Sequence, residues 1–501
     1  MNSETPIYLT TEIRKIEQLA AALPNHSDLM EKAGLAAAKV ALDKLLTNGR
    51  NKVLVLAGPG NNGGDAFIVA RYLQKWWFKV TLVFTGTHDR LSSDARNSLD
   101  AWIAVGGKVL SKIPAKKNWN VVIDGLFGIG LERNLEGKYY ELVKVINRMN
   151  LPVLALDIPS GLDSDKGDVR GAAIYAAMTV TFIGLKPGLL THYGTEYCGK
   201  ILLRNLDIDA PTLIKPNSWI LDQACAQRLL PPPRPANNHK GMFGSVGIIG
   251  GSAGMGGAAL LAGTAALKLG SGRVFLGLIA DDTPRVNPAQ PELMLRPAYE
   301  LFKLDHLNCL VIGPGLGMSA DAHFWLDCAL KSTQSLVLDA DALNLIAIHP
   351  KLANTLSIRK ADTILTPHAA EAARMLGTGT TAIQNDRMAA VKNLVERFNC
   401  YAVLKGAGSI CMLLNGKRYI NTSGNPGLSS AGTGDVLSGI IGALLAQGLS
   451  VGNALLLAVH LHGAAADELL EKIGGPLGMT ASEITNTARS LLNQWIYSPE
   501  I

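Results

Sequence analysis

KVLVLAGPGNNGGDAFIVARYLQKW, residues 52–76, decides the fold class. Five apolar residues in a row after Lys52 read as a strand buried on both faces, the pattern of a parallel sheet. A glycine-rich turn from Gly58 to Gly64 follows. From Asp65 to Trp77 apolar residues return at three- and four-residue intervals, which predicts a helix packed on the sheet. Strand, tight turn and helix in that order open a βαβ unit.

Outward from this unit the pattern repeats. Val80 to Phe84, Val121 to Asp124, Val153 to Asp157 and Ile201 to Leu206 read as strands, and Leu91 to Ala104 as a helix. Pro211, Pro216 and Pro231-Pro232-Pro233-Arg234-Pro235 then mark a connector, because proline continues neither a helix nor a central strand. The boundary is placed at residue 220, giving domains 1–220 and 221–501. The second half restarts with strands at Ser245 to Ile249, Val274 to Leu278, Cys309 to Ile312, Leu336 to Asp339, Thr363 to Leu365 and Ala402 to Leu404. A hairpin is predicted over Ser409 to Ile420, turning at Asn415-Gly416. The fold class is α/β in two domains, the first a Rossmann-like αβα sandwich.

Composition removes other classes. The 501 residues suit two to four domains at roughly 150 each. With 48% hydrophobic and 18% charged residues the chain is not a disordered one. Its 47 basic and 41 acidic residues are interspersed, so no basic block points to nucleic acid. Six cysteines stand singly, as in a reduced compartment. The N-terminus lacks a basic-then-apolar leader. Gly241 to Leu267 and Val436 to Ala466 contain no charged residue, but Gly, Ser, Thr, Asn, Gln and His interrupt them. They read as glycine loops and buried helices rather than membrane spans, and the expected location is cytoplasmic.

Polar chemistry gathers at the carboxyl ends of the first-half strands, where ligands of open parallel sheets bind. Asn61, Asn62 and Asp65 follow the first strand, Asp124 ends VVID, and Asp157 and Ser160 stand in LALDIPSG. An amide, a carboxylate and a hydroxyl suit a hard cation, and a second carboxylate suits proton transfer. The plainer alternative is that Asp65, Asp157 and Ser160 cap helices or turns. Gly58 to Gly63 fits GxGxxG, but a dinucleotide fingerprint needs an acid closing the second strand, and Thr85-Gly86-Thr87 stands there.

In the second half, NPGLSSAGTGD, Asn425 to Asp435, precedes an apolar helix expected from Val436. Small residues turn backbone N–H groups towards one point and a helix N-terminus adds partial positive charge, which together suit a phosphate. Asp435 is badly placed to bind an anion and well placed to take a proton from an attacking hydroxyl; its alternative is a helix cap. No GxxxxGK[ST] occurs. Gly250 to Ala258, Gly313 to Gly317 and Lys405 to Ser409 are further glycine loops at strand ends. Lys405 is either a counter-charge to a diphosphate or a solvated lysine. His368 is either a donor to substrate or structural, and Asp339 and Asp341 suit Mg²⁺ or substrate, with Asp341 alternatively a cap.

GPGNNGGD, VVIDGLFGIG and ALDIPSG in this order resemble the NAD(P)H-hydrate epimerase domain over nearly all of the first half. The resemblance implies that Asn61, Asn62, Gly63, Gly64 and Asp65, the segment Gly128, Ile129, Gly130, Leu131, Glu132, Arg133 and Asn134, and Asp157 contact the hydrated nucleotide. It also implies K⁺ held by Asn62, Asp124 and Ser160. Ala66 stands where glycine is common and Ile129 where threonine is. From about residue 225, His239-Lys240-Gly241, GGSAGMGGAALLA, GPGLG, DADALN, TPHAAEAARML, KGAGS and AGTGDVLSGIIGALLAQG resemble the ADP-dependent NAD(P)H-hydrate dehydratase domain, of ribokinase-like αβα fold. Ala258, Gly317, His368 and Asp435 are implied to contact the hydrate. Lys405, Gly406, Ala407, Gly408, Ser409 and Gly434 are implied to hold the adenine nucleotide, with Mg²⁺ as cofactor and ADP as co-substrate. His368-Ala369-Ala370-Glu371 replaces the family's His-Pro-Gly-Glu.

The expected function is therefore repair of hydrated NADH and NADPH by epimerisation, with Asp157 as acid/base, and phosphorylation-driven dehydration, with Asp435 as base. The substrates are small molecules, with neither nucleic acid nor membrane as partner, and the expected assembly is a homo-oligomer. The rival is a ribokinase-like small-molecule kinase with a non-catalytic nucleotide-binding first half.

Overall fold

The computed structural model describes residues 4–22, 28–47, 49–115, 118–280 and 286–498. It forms two compact units, Thr5–Ser218 and a second that begins at Trp219 and takes in Glu4. In the first, helices α1 (Thr10–Ala21) and α2 (Asn61–Lys75) accompany strands β1 (Lys52–Ala57), β2 (Lys79–Phe84), β3 (Val109–Leu110), β4 (Val121–Gly125), β5 (Val153–Leu156), β6 (Met178–Phe182) and β7 (Lys200–Arg204). The sheet order is β3-β2-β1-β4-β5-β6-β7 with every pair parallel. From β1 the chain moves outward through β2 and β3 and then returns to the other side of β1 at β4. The carboxyl ends of β1 and β4 thus flank the switch point where such sheets open a ligand crevice.

Three details depart from the sequence reading. The glycine-rich turn is not a loop before the helix: α2 starts at Asn61, and the N–H groups of Gly63 and Gly64 already bond Gly60 O. Its glycines are needed for close approach, since a Cβ on Gly58 would stand 1.7 Å from Leu126 O and one on Gly63 would stand 2.0 Å from Gly58 O. Strand β6 was not foreseen, because Thr179 and Thr181 interrupt the apolar run, yet both threonines are buried with hydroxyls satisfied by Cys198 O and Asp157. The third is Asp157 itself, which lies just past β5 with φ +64°. Gly58→Ala is expected to cost about 3 kcal/mol or more, because backbone rather than a movable side chain blocks the methyl; calorimetry on the purified variant reads it as a lower melting temperature of the first unit.

The second unit carries β8 (Ser245–Gly250), β9 (Arg273–Leu278), β10 (Met294–Pro297), β11 (Cys309–Ile312), β12 (Ser335–Leu338), β13 (Thr363–Leu365), β14 (Tyr401–Leu404), β15 (Ile410–Met412) and β16 (Arg418–Asn421). These run in the order β16-β15-β14-β13-β12-β11-β8-β9-β10, parallel except for the antiparallel hairpin of β15 with its neighbours. The proline-bearing connector also holds a strand, Ser218–Leu221, and a helical turn, Gln223–Gln227. The helices used below are α3 (Gly256–Lys268), α4 (Ala340–Ile348), α5 (Ala369–Leu376), α6 (Thr433–Ala446) and α7 (Val451–Ile473). Every residue from Val436 to Ala446 in α6 is buried, which explains its lack of charge. Among the described residues no helix is long and apolar enough to cross a membrane.

Candidate active sites

In the first unit, Asn62 is the second residue of α2 and is buried, with neither Oδ1 nor Nδ2 hydrogen-bonded. A buried amide without partners costs free energy unless something occupies the space it faces. At the end of β4, Asp124 is fully buried and accepts from Ser160 Oγ at 2.6 Å, Ser160 N at 2.8 Å and Leu126 N at 3.2 Å. Burial pushes its carboxyl up to about 6 against the pull of the Ser160 and Leu126 donors. Phe127 N donates to Ser160 Oγ at 2.9 Å, and a Cβ on Gly128 would lie 3.3 Å from Asn62 Cβ. The loop after β4, which opens the Gly128–Asn134 segment, thus runs past both Asn62 and Ser160. Glu132, Arg133 and Asn134 stand on its exposed outer part.

Asp157 meets a residue that sequence reasoning missed. Lys186 Nζ lies 2.5 Å from Asp157 Oδ1 and also donates to Thr181 Oγ1 at 2.8 Å and Phe182 O at 3.0 Å. The Lys186 side chain is 1% exposed and that of Asp157 13%. A lone lysine in GLKPG gives no local signal; only the long-range pairing with Asp157 identifies it. Asp65 is buried inside α2, where burial first, then the Asp157 and Glu17 carboxylates, push its carboxyl well above the usual range. None of the three is a cap: Gly60 occupies the N-cap of α2, and Ser160 and Asp157 bond Asp124 and Lys186 instead.

In the second unit, the N-cap of α6 is Gly432 at φ +85°, so Thr433, Gly434 and Asp435 form the first helical turn, three residues earlier than the sequence reading. Asp435 is therefore a first-turn residue and not the N-cap. Thr433 Oγ1 ties the preceding loop down through Leu428 O at 2.8 Å and Ser430 O at 3.0 Å. The unpaired N–H groups of a first turn are thereby held in place. Burial, then the charges of Asp339 and Asp341, push Asp435 up to about 7, while Lys405 opposes them.

Lys405 is not a solvated lysine. Its Nζ is 2.9 Å from Asp339 Oδ1, and Ser438 Oγ on α6 donates to Asp339 Oδ2 at 2.7 Å. A Cβ on Gly434 would stand 3.3 Å from Lys405 Nζ, so the glycine brings α6 onto the ammonium. Burial pulls the Lys405 ammonium down, but Asp339, Glu371 and Asp435 together leave it above the ordinary lysine range. For Asp339 burial acts upward, yet Lys405, Ser438 and Thr366 hold the carboxyl below its usual value. Beyond Lys405, Ser409 Oγ accepts from Gly406 N and donates to Gly406 O, closing the Lys405–Ser409 loop on itself.

His368 is the N-cap of α5: its Nδ1 accepts from Ala370 N and Glu371 N, and Glu371 Oε2 accepts from His368 N at 2.7 Å. An accepting Nδ1 places the ring proton on Nε2, which lies 3.4 Å from Glu371 Oε1. Burial, then Lys405 and Arg374, lower the His368 pKa, and burial raises Glu371 to about 7. Asp341 does not cap α4, whose N-cap is Asp339; its Oδ2 accepts from Gly317 N at 2.9 Å. A Cβ on Gly315 would lie 3.2 Å from Ala258 Cβ, and one on Gly317 would lie 2.9 Å from Ser252 Oγ. The loop after β11 therefore packs on the start of α3, and Ala258 and Gly317 belong to one wall. Among the described residues no three His, Cys, Asp or Glu side chains group as a metal site.

Two family models match the chain, YjeF-related protein N-terminus over residues 26–188 and NAD(P)H-hydrate dehydratase over residues 246–489. A bifunctional NAD(P)H-hydrate repair enzyme of Coxiella burnetii is 36% identical over 98% of this chain and 100% of its own length. One from Escherichia coli is 36% identical over 97% and 94%. Among solved structures, the ADP/ATP-dependent NAD(P)H-hydrate dehydratase of Bacillus subtilis, co-crystallised with ATP and Mg²⁺, is 28% identical and covers 55% of this chain and 98% of its own, with a TM-score of 0.49. With relatives alike over nearly its whole length, the chain belongs to the family of bifunctional NAD(P)H-hydrate repair enzymes.

Proposed function

We propose that the second unit dehydrates NAD(P)H hydrates by way of a phosphoester, with Asp435 as general base. The observation that carries this is a carboxylate in the first turn of α6, pushed up to about 7 chiefly by burial, next to the loop of small residues that Thr433 ties down. The hydrate has a hydroxyl on the carbon next to the ring nitrogen, and hydroxide is a poor leaving group. Asp435 takes the hydroxyl proton as the oxygen attacks the terminal phosphoryl of ADP, which leaves as AMP. The nitrogen lone pair then expels phosphate, and loss of a proton from the neighbouring carbon restores the dihydropyridine. The N–H groups of the Thr433 turn stabilise the charge on the moving phosphoryl. His368 Nε2, the Gly317 backbone held by Asp341, and Ala258 line the hydrate side; Lys405 to Ser409 and Gly434 take the nucleotide.

Each Asp339 oxygen accepts one of these donors, Lys405 or Ser438, so this carboxylate is engaged as the counter-charge of the lysine. Mg²⁺ would instead ride on the nucleotide phosphates, where it would offset their charge, as this ion commonly does. A base raised to about 7 gives a testable profile: below pH 7 Asp435 is protonated and idle. Dehydratase kcat/KM is expected to rise about tenfold per pH unit below 7 and to level off above it. A flat profile from pH 5.5 to 8 would remove Asp435 from this role.

The first unit, in this reading, interconverts the hydrate epimers with Asp157 as acid/base group, and the strand-end residues 61–65 and 128–134 bind the nucleotide. The orphaned Asn62 amide, the Asp124 carboxylate and Ser160 form an all-oxygen donor set suited to K⁺. The ion would stabilise the ionised form of Asp124 and rigidify the loop after β4. Exchanging K⁺ for tetramethylammonium is expected to lower the melting temperature of the first unit and slow epimerisation, and Asn62→Ala is expected to erase the difference between the two salts.

A further inference from the structure

Between β16 and α6 the chain reads TSGNPGLSSAG, residues 422–432. Glycine and small residues leave such a loop many backbone conformations, whereas amides that stabilise a moving phosphoryl act only if they are fixed beforehand. Thr433 braces the far end of the loop; the near end is held by α7. Positions 460, 463 and 467 of that helix share one face through spacings of three and four residues. Ser423 Oγ donates to His460 O at 2.9 Å. A Cβ on Gly463 would stand 2.7 Å from the Ser423 carbonyl carbon, so this glycine lets the loop lie against the helix backbone. Asp467 takes the next two residues: its Oδ2 accepts from Gly424 N at 2.8 Å and its Oδ1 from Asn425 Nδ2 at 3.0 Å.

The bracing continues along the loop. Asn425 Oδ1 accepts from Gly427 N at 3.0 Å, as the N-cap of the single turn Pro426–Leu428. Ser430 Oγ donates to Gly427 O at 3.1 Å, and Ser430 O accepts from Thr433 Oγ1 in the first turn of α6. A relay of hydrogen bonds thus leads from Asp467 to the turn that carries Asp435. As a ligand, a carboxylate near an anion loop would be unfavourable, because like charges repel. Asp467 instead meets the loop's own donors, a backbone N–H and an amide NH₂, and only a carboxylate offers an acceptor oxygen to each of them.

We infer that Asp467 is a positioning residue of the dehydratase, which acts through Gly424 and Asn425 to hold the loop before α6 in the shape that receives the transferred phosphoryl. This rests on the dehydratase reading above. Asp467 itself touches neither hydrate nor nucleotide. The loop assigned to the nucleotide, Lys405 to Ser409, follows a different strand and is closed by its own Ser409 contacts. Loosening the 422–432 loop therefore slows phosphoryl transfer more than it weakens the binding of ADP.

The test exchanges the two side chains in the full chain and follows dehydration of the reactive epimer by absorbance over a range of ADP concentrations. Asp467→Asn leaves one donor facing another whichever way the new amide turns, and Asn425→Asp sets two carboxylates against each other. Each alone is expected to lower kcat about 10–100-fold, the scale of a misplacement of about 1 Å, with KM for ADP within about threefold. Asn425→Ala, which opposes no like groups, is expected to show the same split. In the double variant Asp467→Asn/Asn425→Asp the amide at 467 donates to the carboxylate at 425, which still accepts from Gly427 N. Its kcat is expected to return to within about threefold of the parent, a coupling that independent sites would not show. A parent kcat in the single variants overturns the inference even if they melt lower, since the contacts would then be purely structural. A double variant no faster than the slower single, or a loss confined to KM for ADP, overturns it as well. Should Asp435→Asn dehydrate at the parent rate, the dehydratase reading itself fails, whatever Asp467 does.

Discussion

Asp435→Asn is expected to lower dehydration at saturating ADP and hydrate by about 10²–10⁴-fold, the usual contribution of a general base. Affinity for ADP is expected to stay within about twofold, because the amide has the same shape and the preceding loop is held by Thr433 Oγ1. Folding should not suffer. A carboxyl raised to about 7 makes folding favour its protonated form, a contribution lost as pH rises through 7. The asparagine carries no such charge, so at pH 8 the variant should melt at or slightly above the parent temperature. A variant that is inactive and also less stable would point to a structural role, whereas one that is inactive, stable and still able to bind ADP isolates the proton transfer. Epimerisation by the same protein should be untouched.

The second large effect concerns the pair at the end of β5. Lys186→Met leaves the Asp157 carboxylate in a nearly closed site without its cation, and breaking one side of a buried pair costs about 3–5 kcal/mol. For a unit of this size that is a fall in melting temperature of roughly 10 °C. Epimerisation should be lost with it, since Lys186 no longer holds the Asp157 carboxylate in place. Asp157→Asn alone strands the ammonium instead, although Thr181 and Phe182 still accept from it, so its cost should be smaller. Asparagine also tolerates the left-handed backbone at this position. In the double variant no unpaired charge remains, and most of the stability should return while epimerisation stays absent. Thermal melts of the four proteins close this cycle; additive losses would mean that the two groups do not form a coupled pair.

How much of this was legible beforehand follows from the range of each interaction. Strands such as KVLVLA, VVID and the LVL of β12 were readable because burial on both faces leaves an unbroken apolar run. Helix starts were read late at both Asp65 and Val436 for one reason: glycine and small residues look like loop in a sequence, whereas here they let a helix begin against backbone. Threonines hid β6 because their hydroxyls are satisfied by partners distant in the chain. The positions of Asn62, Asp124 and Ser160 followed from the rule that ligands gather at strand ends, and that of Asp435 from a loop of small residues opening a helix. Lys186 and the Asp339–Lys405–Ser438 chain did not, since each acquires meaning only from contacts made across tens of residues. The same holds for Lys405, whose counter-ion Asp339 lies at the end of another strand.

The account is tested most directly by the stoichiometry of repair. A mixture of both hydrate epimers is supplied with ADP and Mg²⁺, and reduced cofactor is followed by absorbance while AMP and phosphate are quantified. The expected result is recovery of the whole mixture with AMP and free phosphate each equimolar to the cofactor regained, and no phosphoester accumulating. Recovery without consumption of nucleotide, or a stable phosphorylated product, would contradict it.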